Sequence, residues 1–320
     1  MQTATPLKGI RVLELGAYIS GPYAGALLAS LGADVVKVEA PSGDAFRRGV
    51  GTQSHYFVQA NSGKQSISVD LKSPDGIAMI KALLPQFDVL IENSRPGVMD
   101  RLGLGADVVR ARTGGGTVVK TSLLDAMSAL TVDAMTQTFE TGQSPHRESR
   151  HPTAQSFALT TRDGAAIAVH MSGLEKFWQG FVRAIDRPDL LEDPRFTTYP
   201  DRKRHYYDLR PIAEAEFAKR DQAEWRDRLR DADVPYAPVV TGLELTEHPQ
   251  VQWLDLYEDA REDGLRVMRG PWRFDGARNP KATTAPAIGE HTRDYALRVL
   301  PEAEVDRLIA AGVLVQAQEA

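Results

Sequence analysis

The stretch GIRVLELGAYISGPYAGALLASLGADVVKVEA, Gly9 to Ala40, decides the fold. It opens with a short β-branched run, Ile10 to Leu15, passes a glycine-bearing turn, and enters an alanine- and leucine-rich segment that begins at Pro22. Proline is tolerated in a first helical turn, where its missing N–H has no intrahelical partner, so Pro22 to Leu31 is predicted helical. A second strand follows at Asp34 to Val38. Strand, helix and strand in this order imply a parallel βαβ unit.

Outward from this unit the alternation continues, with a third strand at Ser66 to Val69, a helix at Gly76 to Leu84 and a fourth strand at Asp88 to Ile91. The fold class is α/β, with a Rossmann-like parallel sheet covered by helices on both faces. Beyond Ile91 the pattern thins. Pro96 to Arg112 reads as helix or loop, Gly114, Gly115 and Gly116 interrupt the chain, and only Thr117 to Val119 is β-branched before a new helix. That helix, Ser122 to about Phe139, spaces Leu123, Leu124, Met127, Leu130, Ala134 and Met135 helically, which predicts a buried stripe.

From Phe157 the texture becomes α+β. Two strands, Phe157 to Thr160 and Ala166 to Val169, are joined through Arg162, Asp163 and Gly164, and Asp-Gly is a hairpin signal. Helices are expected at Glu175 to Ile185, Asp208 to Lys219 and Gln222 to Arg230. Pro235 and Pro238 make Val234 to Val240 an extended connector more than a central strand. A strand near Leu265 to Met268 and a helical tail from Thr292 complete the chain. The expected domains are a large one over 1–145, a smaller α+β one over 146–270, and a C-terminal segment, 271–320, that returns to the first.

At 320 residues the chain is long enough for about two domains. With 38 basic and 43 acidic side chains the net charge is −5, so there is no positive excess to draw it onto nucleic acid. It has no cysteine, which excludes disulfides, thiolate metal sites and thiol nucleophiles. No run has the length of a signal peptide or a membrane span, and a cytoplasmic protein is expected.

The first strand-to-helix turn, Gly16 to Gly25, can let an anionic phosphate approach backbone N–H groups and the positive helix end. Its spacing is not that of the dinucleotide fingerprint, and the glycines serve equally for a tight turn and close packing. Glu39, at the end of the second strand, stands where a dinucleotide-binding protein holds its ribose-binding acid, which makes NAD the rival ligand. Gly63 and Lys64 lack the upstream glycine of a P-loop, and no serine-hydrolase elbow or zinc motif occurs. No metal site is expected. The run His146, Arg147, Arg150, His151 reads as a solvated loop. Asn93, Ser94 and Arg95 follow the fourth strand, where open α/β sheets bind ligands, and an arginine there matches phosphate oxygens.

Ten segments in order resemble the family III CoA-transferases, the CaiB/BaiF group. They are Pro6 to Leu15, Ser20 to Gly25, Leu31 to Asp44, Ser66 to Ser73, Asp88 to Gly105, Lys120 to Met127, Asp193 to Phe196, Val234 to Thr241, His248 to Val251 and Gly289 to Thr292. The resemblance implies a Rossmann-like large domain, a smaller α+β domain and an interlocked homodimer. It implies transfer of CoA from an acyl-CoA to a free carboxylic acid through an aspartyl intermediate, with coenzyme A or acyl-CoA as substrate and no permanently bound cofactor. It assigns CoA contacts to Ile19, Ser20, Val69, Asp70, Leu71, Lys72, Asn93, Ser94, Arg95 and Arg101. Ala40 stands where some members have an arginine for the nucleotide phosphate. Between Arg110 and Gly114 the chain departs from the family, jumping across the strand, glycine-rich loop and catalytic aspartate found there. The catalytic residue is therefore unassigned. Asp125 belongs to the motif after the jump and Asp107 to the stretch before it, and neither is promoted to nucleophile. A CoA-binding protein with impaired turnover, a non-catalytic remnant that pairs with a full-length relative, the acyl-CoA racemase branch and an NAD-dependent oxidoreductase are the readings left open. Loss of interior strands is expected to expose sheet edges unless a dimer partner covers them.

Overall fold

The computed structural model of the protein describes residues 5–47, 53–261, 264–279 and 284–317. Packing divides the chain into two units, 1–119 with 250–320, and 120–249. The sequence texture instead puts the boundaries after 145 and after 270. The differences fall on the two helices that follow residue 120 and on the short hairpin that follows residue 250.

The first unit begins with β1 (Arg11–Glu14), α1 (Ser20–Ser30), β2 (Asp34–Glu39), α2 (His55–Asn61), β3 (Gln65–Val69), α3 (Pro74–Leu83), β4 (Val89–Ile91), α4 (Val98–Arg101) and α5 (Ala106–Thr113). Pro74 sits in the first turn of α3 with Asp75 beside it, a proline and an acid both suited to a helix start. Strands β3, β2, β1 and β4 lie side by side in that order and run parallel. The predicted βαβ reading is therefore the observed topology. Strand β2 is buried from Val35 to Glu39, as an interior strand covered on both faces must be. On one face Leu13, Val36, Ile67, Met79, Ile80 and Leu83 form the main core, and on the other Val12, Ala33 and Val35 pack with Leu28. Strand β4 is the edge, and none of its three residues is fully buried.

The second unit holds α6 (Leu123–Leu130), α7 (Val132–Thr141), α8 (His151–Ala154), β5 (Ser156–Thr160), β6 (Ala166–His170), α9 (Glu175–Ala184), α10 (Tyr199–Arg204), α11 (Tyr206–Phe217), α12 (Gln222–Asp231), β7 (Tyr236–Val239) and α13 (Gly242–Thr246). The predicted hairpin is present, with Thr160 opposite Ala166 and Gly164 at φ +77° in the turn. The proline-bearing connector pairs with β6 as the edge strand β7, where Pro238 lacks no ladder donor on its open side. A core of Trp178, Phe181, Phe217 and Trp225 sits under the helices, with the last two rings stacked at 4.0 Å.

The predicted buried stripe is a correction. The segment breaks at Thr131 into α6 and α7, and Leu123, Leu124, Leu130 and Phe139 are 78–79% exposed. Helical spacing reveals an apolar face, but nothing among the described residues covers it.

The chain then returns to the first unit through α14 (Pro249–Leu254), the hairpin β8 (Tyr257–Asp259) and β9 (Arg266–Met268), α15 (Thr292–Ala296) and α16 (Glu302–Ala310). It ends on β10 (Leu314–Val315), which pairs antiparallel with β3 and closes the edge opposite β4. Among the described residues, no helix is long and apolar enough to cross a membrane.

Candidate functional site

In a parallel sheet the point where successive strands lie on opposite sides of the first opens a crevice beyond the carboxyl ends. Here that point is between β1 and β4, which flank each other while β2 and β3 lie on the far side of β1. The loops after β1 and β4 meet at it. Asn93 joins them: its Oδ1 accepts the Ala17 N–H at 2.9 Å, and its Nδ2 donates to Ala17 O at 2.9 Å and to Ser20 Oγ at 3.0 Å. A side chain on Gly16 or Gly21 would press against the other glycine and Asn93 at 3.1–3.3 Å, so their bareness is what lets the two loops close. Tyr18, between them, adopts φ +65°, a conformation that costs a non-glycine residue on the order of 1–3 kcal/mol. Its ring is exposed and meets Phe46 edge-on at 5.5 Å.

The structure thus brings Ser20 and Asn93 into direct contact, with Ile19 exposed between Tyr18 and Ser20. Val69 ends β3, and Asp70, Leu71 and Lys72 follow it at the same edge of the sheet, two strands from β1. Val69 is fully buried, its side chain part of the core and its backbone paired with Leu314 of β10. Asp70 Oδ1 is turned onto the Lys72 N–H at 2.9 Å. Ser94 and Arg95 are exposed after β4, and Arg101 on α4 lies 3.3 Å from where a Gly97 side chain would begin. Lys72, Arg95 and Arg101 are all exposed, and among the described residues no ion pair engages them, which leaves three cations on this edge.

Of three carboxylates near the chain's departure, two are held by hydrogen bonds and one is fully exposed. Glu92 Oε2 accepts the Ser94 N–H at 2.8 Å. Asp125 closes the capping box of α6, its Oδ2 accepting from Ser122 N at 2.8 Å and Ser122 Oγ at 2.6 Å. Asp107 is fully exposed, with Arg110 3.9 Å away.

Glu39 corrects the dinucleotide reading. It is buried, takes a two-pronged grip from Arg47 at 2.6 and 2.7 Å, and accepts Ser66 Oγ at 2.7 Å and the Asp44 N–H at 3.0 Å. Burial alone raises its pKa, but Arg47, Ser66 and that backbone N–H outweigh it and hold the carboxyl below its ordinary range. No oxygen remains for a ribose hydroxyl.

Sequence reading missed the charges beneath the turn. Glu14 and Lys37 are register partners on β1 and β2, and Lys64 joins them from the end of α2. Two opposite charges at matching positions of neighbouring apolar strands, VLEL and VVKV, are the signal that would have found the pair.

Strand order and the helices on both faces define a doubly wound α/β protein whose topological switch point lies between β1 and β4. The model of CoA-transferase family III matches residues 7–113 and 108–292, and the chain belongs to that family. Succinyl-CoA:glutarate CoA-transferase of Mus musculus is 24% identical over 397 aligned positions, covering 97% of this chain and 91% of that protein. That alignment is longer than the chain, so the relative carries residues this one lacks. A CAIB/BAIF family protein from Brucella suis shares the fold with a TM-score of 0.78 at 24% identity, covering 95% of this chain and all of that one. The Rv3272 protein of Mycobacterium tuberculosis gives 0.74 at 26% identity, covering 92% of this chain and 100% of that one.

Proposed function

We propose that this chain binds coenzyme A and its acyl thioesters along the carboxyl edge of the sheet, and does not by itself pass the acyl group through an aspartyl intermediate. The observation that carries the first half is the convergence at the switch point: Asn93 ties the two loops together, while Lys72, Arg95 and Arg101 on the same edge have no ion-pair partner among the described residues. Unpaired guanidinium and ammonium groups match the phosphates of a CoA nucleotide. Several of the CoA contacts would be made by backbone at Ile19, Ser20 and Val69 to Lys72, where side-chain identity matters little.

The second half is supported by the seam in the family match at residues 108–113, the place where the resemblance implies that the stretch with the nucleophile is skipped. Asp125 and Asp107 are poor substitutes, one spent on a helix cap and the other fully exposed. Covalent catalysis needs an activated carboxylate within reach of the thioester carbon.

We also propose a homodimer. The exposed leucines of α6 and Phe139 of α7 support it, since a soluble protein seldom leaves such a run uncovered.

The test is transfer of labelled CoA between an acyl-CoA and a carboxylic acid by the purified chain, alongside equilibrium dialysis with CoA. Retention of CoA without transfer is expected. Transfer by the chain alone contradicts the second half, and no retention contradicts the first.

A further inference from the structure

A buried line of charge runs under the turn that joins β1 to α1. The side chains of Glu14, Lys37 and Lys64 are at most 1% exposed. Glu14 bridges the two ammonium groups, with Oε1 3.1 Å from Lys37 Nζ and Oε2 2.6 Å from Lys64 Nζ. Each lysine then donates once to the turn, Lys37 to Gly16 O at 2.7 Å and Lys64 to Pro22 O at 2.7 Å. Those carbonyls are the two ends of the segment that carries Ile19 and Ser20. Asn61 Oδ1 accepts the third Lys64 proton at 3.0 Å. Asp44 Oδ2 lies 3.0 Å from Lys37 Nζ, an ion pair without the alignment of a hydrogen bond. A side chain on Gly25 would collide with Glu14 Oε2, so α1 can settle on this cluster only because that position is bare.

Burying three charges for packing alone is a poor solution, because hydrophobic residues of similar volume serve a core as well or better. What apolar side chains cannot do is hold two backbone carbonyls at fixed points. We infer that Lys64, with Glu14 and Lys37, is a positioning residue for the Gly16–Pro22 turn, fixing before any ligand arrives the backbone that Ile19 and Ser20 present to CoA. This rests on the reading of this edge as a CoA site.

The count of protons gives the inference a signature. A Lys64 ammonium has three donors for its three acceptors, whereas a neutral amine has two. Burial lowers the Lys64 pKa to about 8, with Glu14 and Asp44 opposing that shift and Lys37 adding to it. Above that pH the grip on the turn loosens. Global stability does not fall with it: the unfolded chain binds this proton up to its ordinary 10.5, so between 8 and 10.5 the group's contribution to stability rises with pH.

The experiment uses Lys64→Met in the full chain, with CoA as the probe and amide hydrogen exchange as the ligand-free readout. The variant is expected to bind CoA about tenfold more weakly near neutral pH. Its Ala17 and Tyr23 amides should lose protection while the β2 amides keep theirs. In the wild type, affinity should fall as pH rises through about 8 with no fall in melting temperature, and the variant should lack that step. Unchanged affinity together with unchanged turn protection in the variant overturns the inference. Should Lys64→Met not fold, the wild-type profile still decides: affinity flat across that range overturns it. If the wild type binds no CoA, the functional reading fails, and exchange at Ala17 and Tyr23 still judges the positioning role.

Discussion

At the scale of single residues, Asn93 and Glu39 show how far position alone misleads. Both follow or end a strand at the carboxyl edge of the sheet, yet one is exposed between two loops and the other is buried. Asn93 holds the two loops with hydrogen bonds that water can partly replace, so Asn93→Ala is expected to weaken CoA binding by about 1 kcal/mol, roughly fivefold, which titration calorimetry can read. Glu39 neutralises a buried arginine, and Glu39→Gln leaves Arg47 uncompensated, with an expected loss of about 3–5 kcal/mol in denaturant unfolding. The sign of the acid response follows from the lowered pKa. Stability supplied by Glu39 is present above its unfolded value of 4.5 and is lost as pH falls through the lower folded value. Acid unfolding of the wild type below pH 4.5 should therefore be steeper than that of Glu39→Gln. The ion pairs were hidden from sequence reading because a strand's charge reads as a solvent-facing position unless its partner on the next strand is known. Register supplies that partner: Glu14 opposite Lys37.

At the scale of elements, the alternating N-terminal third was legible because each of its strands and helices is coded locally. The β-branched run, the proline in the first helical turn and the glycine-bearing turns all point to the same structure. The final strand β10 was not legible, since two residues carry no periodicity, yet it protects the edge beside the Val69 to Lys72 turn: Leu314 is 1% exposed, and Val313 O accepts the Asp70 N–H at 2.8 Å. Leu314→Ala is expected to lower stability by about 2–4 kcal/mol, measured by urea unfolding, through the cavity it opens beside β3. Helices α6 and α7 make the opposite lesson. Their spacing was read correctly as apolar and wrongly as buried, because periodicity says which face is apolar and not whether the same chain supplies its cover. If a second copy covers that face, Leu124→Glu with Phe139→Glu should shift light-scattering mass from dimer to monomer with little change in melting temperature, since both side chains are exposed in the single chain.

At the scale of the whole molecule, the family match falls in two pieces that meet at residues 108–113, within α5, after the strand tips on which we propose that CoA lies. The sheet stops at β4, an edge strand with no buried residue. Binding is therefore expected without turnover. The most direct measurement is calorimetric titration of CoA into the purified chain at low and at high salt. Saturable heat is expected at low salt, with an affinity that falls as salt rises, because exposed cations at the strand tips would hold the phosphates. No heat at millimolar CoA would contradict it.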